Sequence, residues 1–178
     1  MKYALFNASH TQEVIRLFHG VFQASEGSAS AQVMRDFVTR LIATTADDEL
    51  IGCIATDDDC IVASIFFSRF DVPSQQVAFI LSPVAVLTEV QRRGIGQQLI
   101  RYGLEHLRAL NVELVFTYGD PAYYAKTGFM PLSEKQIKAP YPLTQPIGWQ
   151  AQMLDGSPLQ GMQGKTQCVA ALDDPALW

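Results

Sequence analysis

Cysteine and histidine are scarce in this chain of 178 residues, three of each, and they do not cluster. Cys53, Cys60 and Cys168 are an odd number in no ligand-like spacing, and His10, His19 and His106 stand apart from them. Neither a disulfide framework nor a zinc site is implied, and no metal is expected. Basic residues are also few, 13 Lys and Arg against 18 Asp and Glu, for a formal charge of -5. Nucleic acid and anionic membrane surfaces, which need a basic face, are therefore poor partners. No apolar run reaches membrane-spanning length, and the opening segment lacks the apolar core and small-residue cleavage site of a signal peptide. A soluble cytoplasmic protein is the expectation.

Hydrophobic residues make up 48% and charged residues 17% of the chain, a globular balance. The length suits one well-packed domain spanning 1–178. The few cations are unevenly spread: Arg92, Arg93, Arg101 and Arg108 lie within 17 residues where Glu105 is the only acid. This is a local positive patch on an acidic protein.

Residues 2 to 6 alternate as a short strand. Ser9 is placed to cap a helix carrying Val14, Leu17, Phe18, Val21 and Phe22 at helical spacing. Val33, Met34, Phe37, Val38, Leu41 and Ile42 write a second amphipathic helix. Two β-rich runs around Asp57, Asp58 and Asp59 read as a hairpin, the aspartates serving the turn rather than a metal. Residues 77 to 87 are apolar almost throughout, as a strand buried on both faces would be. Pro83 within them cannot donate to a ladder, so the strand must bulge or part from a neighbour there. A helix from Gly94 to about Ala109 and a strand over 112 to 118 complete a βαβ order. Asp120 and Pro121 then open a short helix that Gly128 closes. Strand-like pieces near 149 to 154 and 166 to 172 end the reading.

Between strand and helix stands Gln91-Arg92-Arg93-Gly94-Ile95-Gly96. A helix N-terminus exposes unpaired N–H groups and the positive end of the macrodipole, and glycines let an anion approach them closely. A dinucleotide fingerprint would need a third glycine where Leu99 stands, and a Walker loop needs Gly-Lys-Ser/Thr, which is absent.

The spacing does resemble the GNAT superfamily of acyl-CoA-dependent N-acetyltransferases, whose signature Gln/Arg-x-x-Gly-x-Gly/Ala opens a helix after a strand. Tyr-Tyr-Ala-Lys-Thr-Gly-Phe (123 to 129) is similar to that family's Tyr-x-x-x-Gly-Phe element. With Gly-Asp-Pro before it and Asp-Asp-Pro-Ala-Leu-Trp at the end, the chain looks like the YhbS-like bacterial subgroup. Two departures stand out: Thr88 where proline is common, and Gly119-Asp120-Pro121 in place of an asparagine-containing helix start.

The resemblance implies an α/β fold: a central mixed sheet of about six to seven strands, splayed at the middle and flanked by about four helices. It implies acetyl-CoA as donor, its pyrophosphate on the N–H groups of Arg92, Arg93, Gly94, Ile95, Gly96 and Gln97 beside Gln91. Its pantetheine arm would pair with Val84, Ala85 and Val86 as a pseudo-strand. The Val86 N–H would stabilise the developing oxyanion, and Tyr124 would be the acid that protonates the departing thiolate. The alternative for Tyr123 or Tyr124 is packing against Phe129. No base declares itself; Glu89 and Asp120 are merely near, and His106 reads as a surface or packing residue.

The implied reaction is direct attack of a primary amine, small-molecule or peptide, on the thioester. Acyl transfer from a carrier protein or longer acyl-CoA, a CoA-binding regulatory module, and acetylation of aminoacyl-tRNA are the rivals. The last needs a basic surface that a -5 chain lacks. Phe22, Tyr141, Trp149, Met153 and Met162 are candidates for an apolar acceptor lining and equally for core. Oligomeric state stays open, a homodimer among the choices.

Overall fold

The opening alternation becomes β1 (Lys2–Leu5), which pairs antiparallel with β2 (Leu50–Asp57) from Lys2↔Thr56 to Leu5↔Cys53 in the computed structural model, which describes residues 1–178. Ser9 is not the cap expected of the next helix. Asn7 Oδ1 accepts the Ser9 N–H at 2.9 Å, and the Asn7 N–H is returned to His10 Nδ1 at 3.1 Å. This reciprocal box closes a single 3-10 turn ahead of α1 (Thr11–Glu26). α2 (Ser28–Thr44) follows after one residue, Gly27, whose φ of 90° is a conformation that side chains disfavour. α1 buries Val14, Ile15, Leu17, Phe18 and Val21, and α2 buries Ala31, Phe37, Val38 and Leu41. Val33, expected on the apolar face of α2, is exposed.

β2 turns into β3 (Cys60–Asp71) through Asp58 and Asp59, both at positive φ (46° and 62°), the requirement of a two-residue type I′ hairpin. Aspartate tolerates that region better than most residues, so the acidic turn is turn chemistry. β4 (Ala78–Val86), α3 (Ile95–Ala109) and β5 (Leu114–Tyr118) form the anticipated βαβ unit, β4 and β5 pairing in parallel. α4 (Pro121–Tyr124), β6 (Met130–Pro131), β7 (Trp149–Met153) and β8 (Gln167–Cys168) complete the chain. The sheet is mixed and mostly antiparallel, in the order β1-β2-β3-β4-β5-β7-β6, with β8 on β3, and four helices flank it. β8 is two residues, far shorter than the 166 to 172 read from sequence.

Contacts divide the chain into two compact units, Met1–Phe67 with Pro83–Gly103, and Ser68–Ser82 with Leu104–Trp178. In the first, Phe66 stands 5.2 Å from Phe6 and 6.1 Å from Phe18, ring centre to ring centre. A Cβ on Gly52 would lie 2.5 Å from Phe6 Cβ, so only glycine lets these rings close over β2. In the second, Phe70, Phe116, Trp149 and Trp178 pack together, the Phe70–Phe116 and Phe116–Trp149 centroids 4.8 and 5.2 Å apart. Trp149 is wholly buried and its indole N–H donates to Ile137 O at 3.0 Å. It is core, and its candidacy as acceptor lining ends there, because a satisfied, wholly buried indole has no face left for a ligand.

Cys53 is wholly buried in β2, and burial pushes its thiol from 9.0 up to about 12. Below pH 9 the thiol is neutral in folded and unfolded chains alike; between 9 and 12 only the unfolded chain ionises, so stability is lost as pH rises. The melting temperature should therefore fall above pH 9, and Cys53→Ala should flatten that fall relative to its own value at pH 7. Parallel curves would show that Cys53 does not contribute to the alkaline loss.

Candidate functional site

The glycine turn belongs entirely to the first unit and is built from the end of β4 onward. Parallel pairing with β5 runs from Ala78↔Leu114 to Leu81↔Thr117 and stops, although β4 continues to Val86. The sheet is thus splayed ahead of Pro83, where a missing N–H would otherwise interrupt a ladder. Burial changes at the same place. Ala78 to Leu81 are buried on both faces as expected, whereas beyond them Val84 and Val86 are half-buried on one face and Ala85 is buried on the other.

After β4 the Leu87 N–H donates to Val62 O at 2.8 Å, and a 3-10 turn over Thr88–Val90 carries the chain away from the sheet. Thr88 is the first residue of that turn, a position that suits the fixed φ of proline and that threonine also accepts. Gln91 folds back, its Nε2 donating to Val86 O at 2.9 Å. This latch ties the loop to the last residue of the strand. Arg93 Nη2 donates to Glu89 O at 3.2 Å, which stiffens the loop from the other side.

Arg92 and Gly94 both sit at positive φ, 62° and 79°. Left-handed residues set this close together ahead of a helix start form the kind of turn that gathers successive N–H groups into a concave nest, a recurrent anion-binding shape. Arginine in this conformation costs on the order of 1 kcal/mol, strain of the kind that accumulates at ligand sites. The first helical bond of α3 runs from the Gln98 N–H to Gly94 O at 3.0 Å, so the N–H groups of Ile95, Gly96 and Gln97 precede it. Tyr3 supports this turn by donating its hydroxyl to Gln98 Oε1 at 2.6 Å. All ten residues read from sequence as donor-binding, Val84 to Val86 and Gln91 to Gln97, therefore share one strand end and turn. Arg108, the last arginine of the sequence cluster, belongs to the second unit, where its Nε donates to Leu154 O at 2.9 Å.

Tyr124 lies in the second unit, where Asp120 caps α4 by accepting the Ala122 N–H at 2.9 Å and Gly128 ends the following turn at φ 97°. The Tyr124 ring meets Tyr123 and Phe129 edge-on, with centroids 5.1 and 5.8 Å apart. Packing is thus part of what Tyr124 does. Its phenol is pushed up to about 12, mainly by burial and further by Tyr123 and Asp120, while a hydrogen bond with Thr117 pulls the other way. Burial raises the Tyr123 phenol as well.

Two supporting residues escaped the sequence reading. A Cβ on Gly119 would stand 2.8 Å from Tyr124 Cε2, so glycine alone lets the ring lie against this backbone. Thr117, wholly buried, donates to Leu81 O at 3.1 Å where the parallel ladder ends. The glycine before Asp-Pro was the visible signal for the first; nothing in the sequence marks the second.

No group of three or more His, Cys, Asp or Glu side chains is close enough to hold a metal ion. A family model described as acetyltransferase (GNAT) family matches residues 11–129. Escherichia coli (strain K12) YjhQ, an uncharacterized N-acetyltransferase, is 28% identical over 170 residues, covering 85% of this chain and 93% of YjhQ. YhbS of the same strain is 29% identical over 116 residues, 64% of this chain and 69% of YhbS. The crystal structure of Escherichia coli YhbS in complex with CoA has a TM-score of 0.78 at 23% identity, covering 97% of this chain and 92% of that one. A GNAT family acetyltransferase from Brucella melitensis in complex with acetyl-CoA gives 0.74 at 23% identity, over 97% of both chains. These structures share the overall α/β fold, and the family match runs through both the glycine turn and the Tyr124 segment. The chain belongs to the acetyltransferase (GNAT) family.

Proposed function

We propose that the chain transfers the acetyl group of acetyl-CoA to a primary amine by direct attack, both substrates being bound at once and the whole chain acting as one domain. The observation that carries this reading is the turn at Arg92 to Gly94, where two left-handed residues run straight into a helix start, the backbone pattern that gathers N–H groups around an anion. That concave array fits the pyrophosphate of a CoA ester, and Arg92 and Arg93 add positive charge beside it. The CoA and acetyl-CoA carried by the two structural neighbours support the same donor.

The strand end supplies the second part. With no β5 partner beyond Leu81, the backbone of Val84 to Val86 is available to an extended pantetheine arm. The Gln91 latch occupies the Val86 carbonyl and leaves its N–H to serve as oxyanion donor.

In the reaction the acceptor nitrogen, having lost its extra proton to water, shares its lone pair with the thioester carbon. The C–S bond breaks, sulfur leaves with the electron pair and takes a proton from solvent, and the remaining extra proton on nitrogen passes to solvent, so the two transfers balance. Tyr124 stabilises the departing sulfur. Its phenol, near 12, holds a proton more firmly than a thiol near 8.5, so its part is a charge-assisted hydrogen bond to the thiolate rather than complete transfer.

A thermal melt tests the donor. Acetyl-CoA at a hundred times its dissociation constant should add about 2.7 kcal/mol of stability, while NAD and ATP should add little. No stabilisation by any CoA ester would overturn the reading.

A further inference from the structure

A cavity of about 500 Å³ opens at the end of β5, between Tyr118-Gly119-Asp120 and the turn that leads into β7. It lies wholly in the second unit, and one wall is the same Gly119 backbone against which the Tyr124 ring rests. Its rim is apolar, for Ile147 is 75% exposed there and Pro121 faces it. A Cβ on Gly148 would come within 3.0 Å of Gly119 O, so glycine keeps the floor open. Beneath the floor the wholly buried Gln150 donates Nε2 to Gly119 O and Gly148 O at 3.2 and 3.3 Å, which fixes the two walls.

The charge of the lining is one-sided. Asp120 is the single ionisable carboxylate, and no lysine, arginine or histidine lines the cavity. Asp120 spends one oxygen on capping the Ala122 N–H, and its side chain is exposed. The Tyr118 oxygen accepts the Gln145 N–H at 2.7 Å and shares a hydrogen bond with Thr144 at 3.0 Å, so neither group adds a cation. Elsewhere in the unit, Lys135, Lys138 and Lys165 with the single carboxylate of Glu134 line another cavity of about 450 Å³, a balance that disfavours ammonium.

We infer that the Tyr118–Gly148 cavity seats the acceptor, and that the acceptor class is a primary amine on an apolar chain, held in its ammonium form by Asp120 with the chain against Ile147 and Pro121. This rests on the acetyl-transfer reading and narrows it by disfavouring acceptors that carry a carboxylate or phosphate near the amine.

The experiment titrates pentylamine and, separately, pentanoate into the full chain and follows amide signals of Gly119, Asp120, Ile147 and Gly148. Pentylamine should shift them and pentanoate should not. Asp120→Asn keeps an equally good helix cap and removes the charge. It should weaken pentylamine about two- to fivefold, the scale of one exposed ion pair. Ile147→Lys, at an exposed position that does not support the fold, should weaken it as well. Equal affinity in both variants, or preference for pentanoate, would overturn the inference. With acetyl-CoA added, pentylamine that binds but is not acetylated would overturn the acetyl-transfer reading and leave the cation site standing. Acetylation by Asp120→Asn at unchanged KM would do the reverse.

Discussion

Replacing Tyr124 by phenylalanine is expected to lower kcat by about 10² to 10³, the scale of one lost hydrogen bond to developing charge, while leaving the affinity for acetyl-CoA unchanged. The fold should survive, because the contacts to Tyr123, Phe129 and Gly119 are made by the ring and not by the hydroxyl. The pH dependence makes the test sharper. A phenol at about 12 loses its proton only as pH rises through that value, so Tyr124 stays protonated throughout the ordinary range. The wild-type rate should therefore climb toward pH 10, following deprotonation of an amine whose pKa is about 10.4 if it is lysine-like. No falling limb should appear on the way. Tyr124→Phe should give a profile of the same shape at a lower plateau. A companion change, Gly119→Ala, places a methyl 2.8 Å from the ring edge and should cost turnover with the tyrosine still present. Equal kcat in Tyr124→Phe would leave the residue a packing role only. A falling limb below pH 9 that the variant lacks would mean a more acidic phenol and full proton transfer.

The parts of the fold that could be read from sequence are those whose interactions are local or periodic. The β2–β3 hairpin needed only Asp58 and Asp59 between apolar runs, and the β4–α3–β5 unit needed only the change from a continuous apolar run to period 3.6 around Gly94. The glycine turn as a structural element was legible for the same reason: Gln91 to Gly96 is contiguous. What was not legible depends on distant partners. Trp149 read equally as pocket lining or core until the Ile137 carbonyl and the Phe116 ring accounted for it. The segment before β8 is held by Thr166 donating to Lys138 O at 2.6 Å, 28 residues away, which no period announces. Ser9 failed as a cap because Asn7, two residues earlier, offers a carboxamide oxygen that both the Ser9 N–H and its hydroxyl use. Gly119 was visible as a letter, but its purpose depends on where the ring of Tyr124 falls.

Gly94→Asp should cut affinity for acetyl-CoA by on the order of 10²-fold, the largest binding effect of any single change in the turn. Gly94 has φ 79°, a region that aspartate and asparagine enter at less expense than other side chains. Space is available, for only Gln98 Nε2, at 3.8 Å, lies within 4 Å of a Cβ built there. Folding should therefore be weakened by about 1 kcal/mol, and the main consequence should be electrostatic. A carboxylate roughly 5 Å from a doubly charged pyrophosphate, at an effective dielectric of about 40, is repelled by about 3 kcal/mol. Gly94→Asn carries the same backbone strain and nearly the same volume without the charge. If the nest works by gathering N–H groups around an anion, the asparagine variant should keep most of its affinity, and raising the salt concentration should partly restore the aspartate variant. Equal losses in both, insensitive to salt, would mean that backbone shape alone governs the turn. Unchanged calorimetric affinity in both would remove the anion from Gly94 and, with it, the reason for two left-handed residues in three positions.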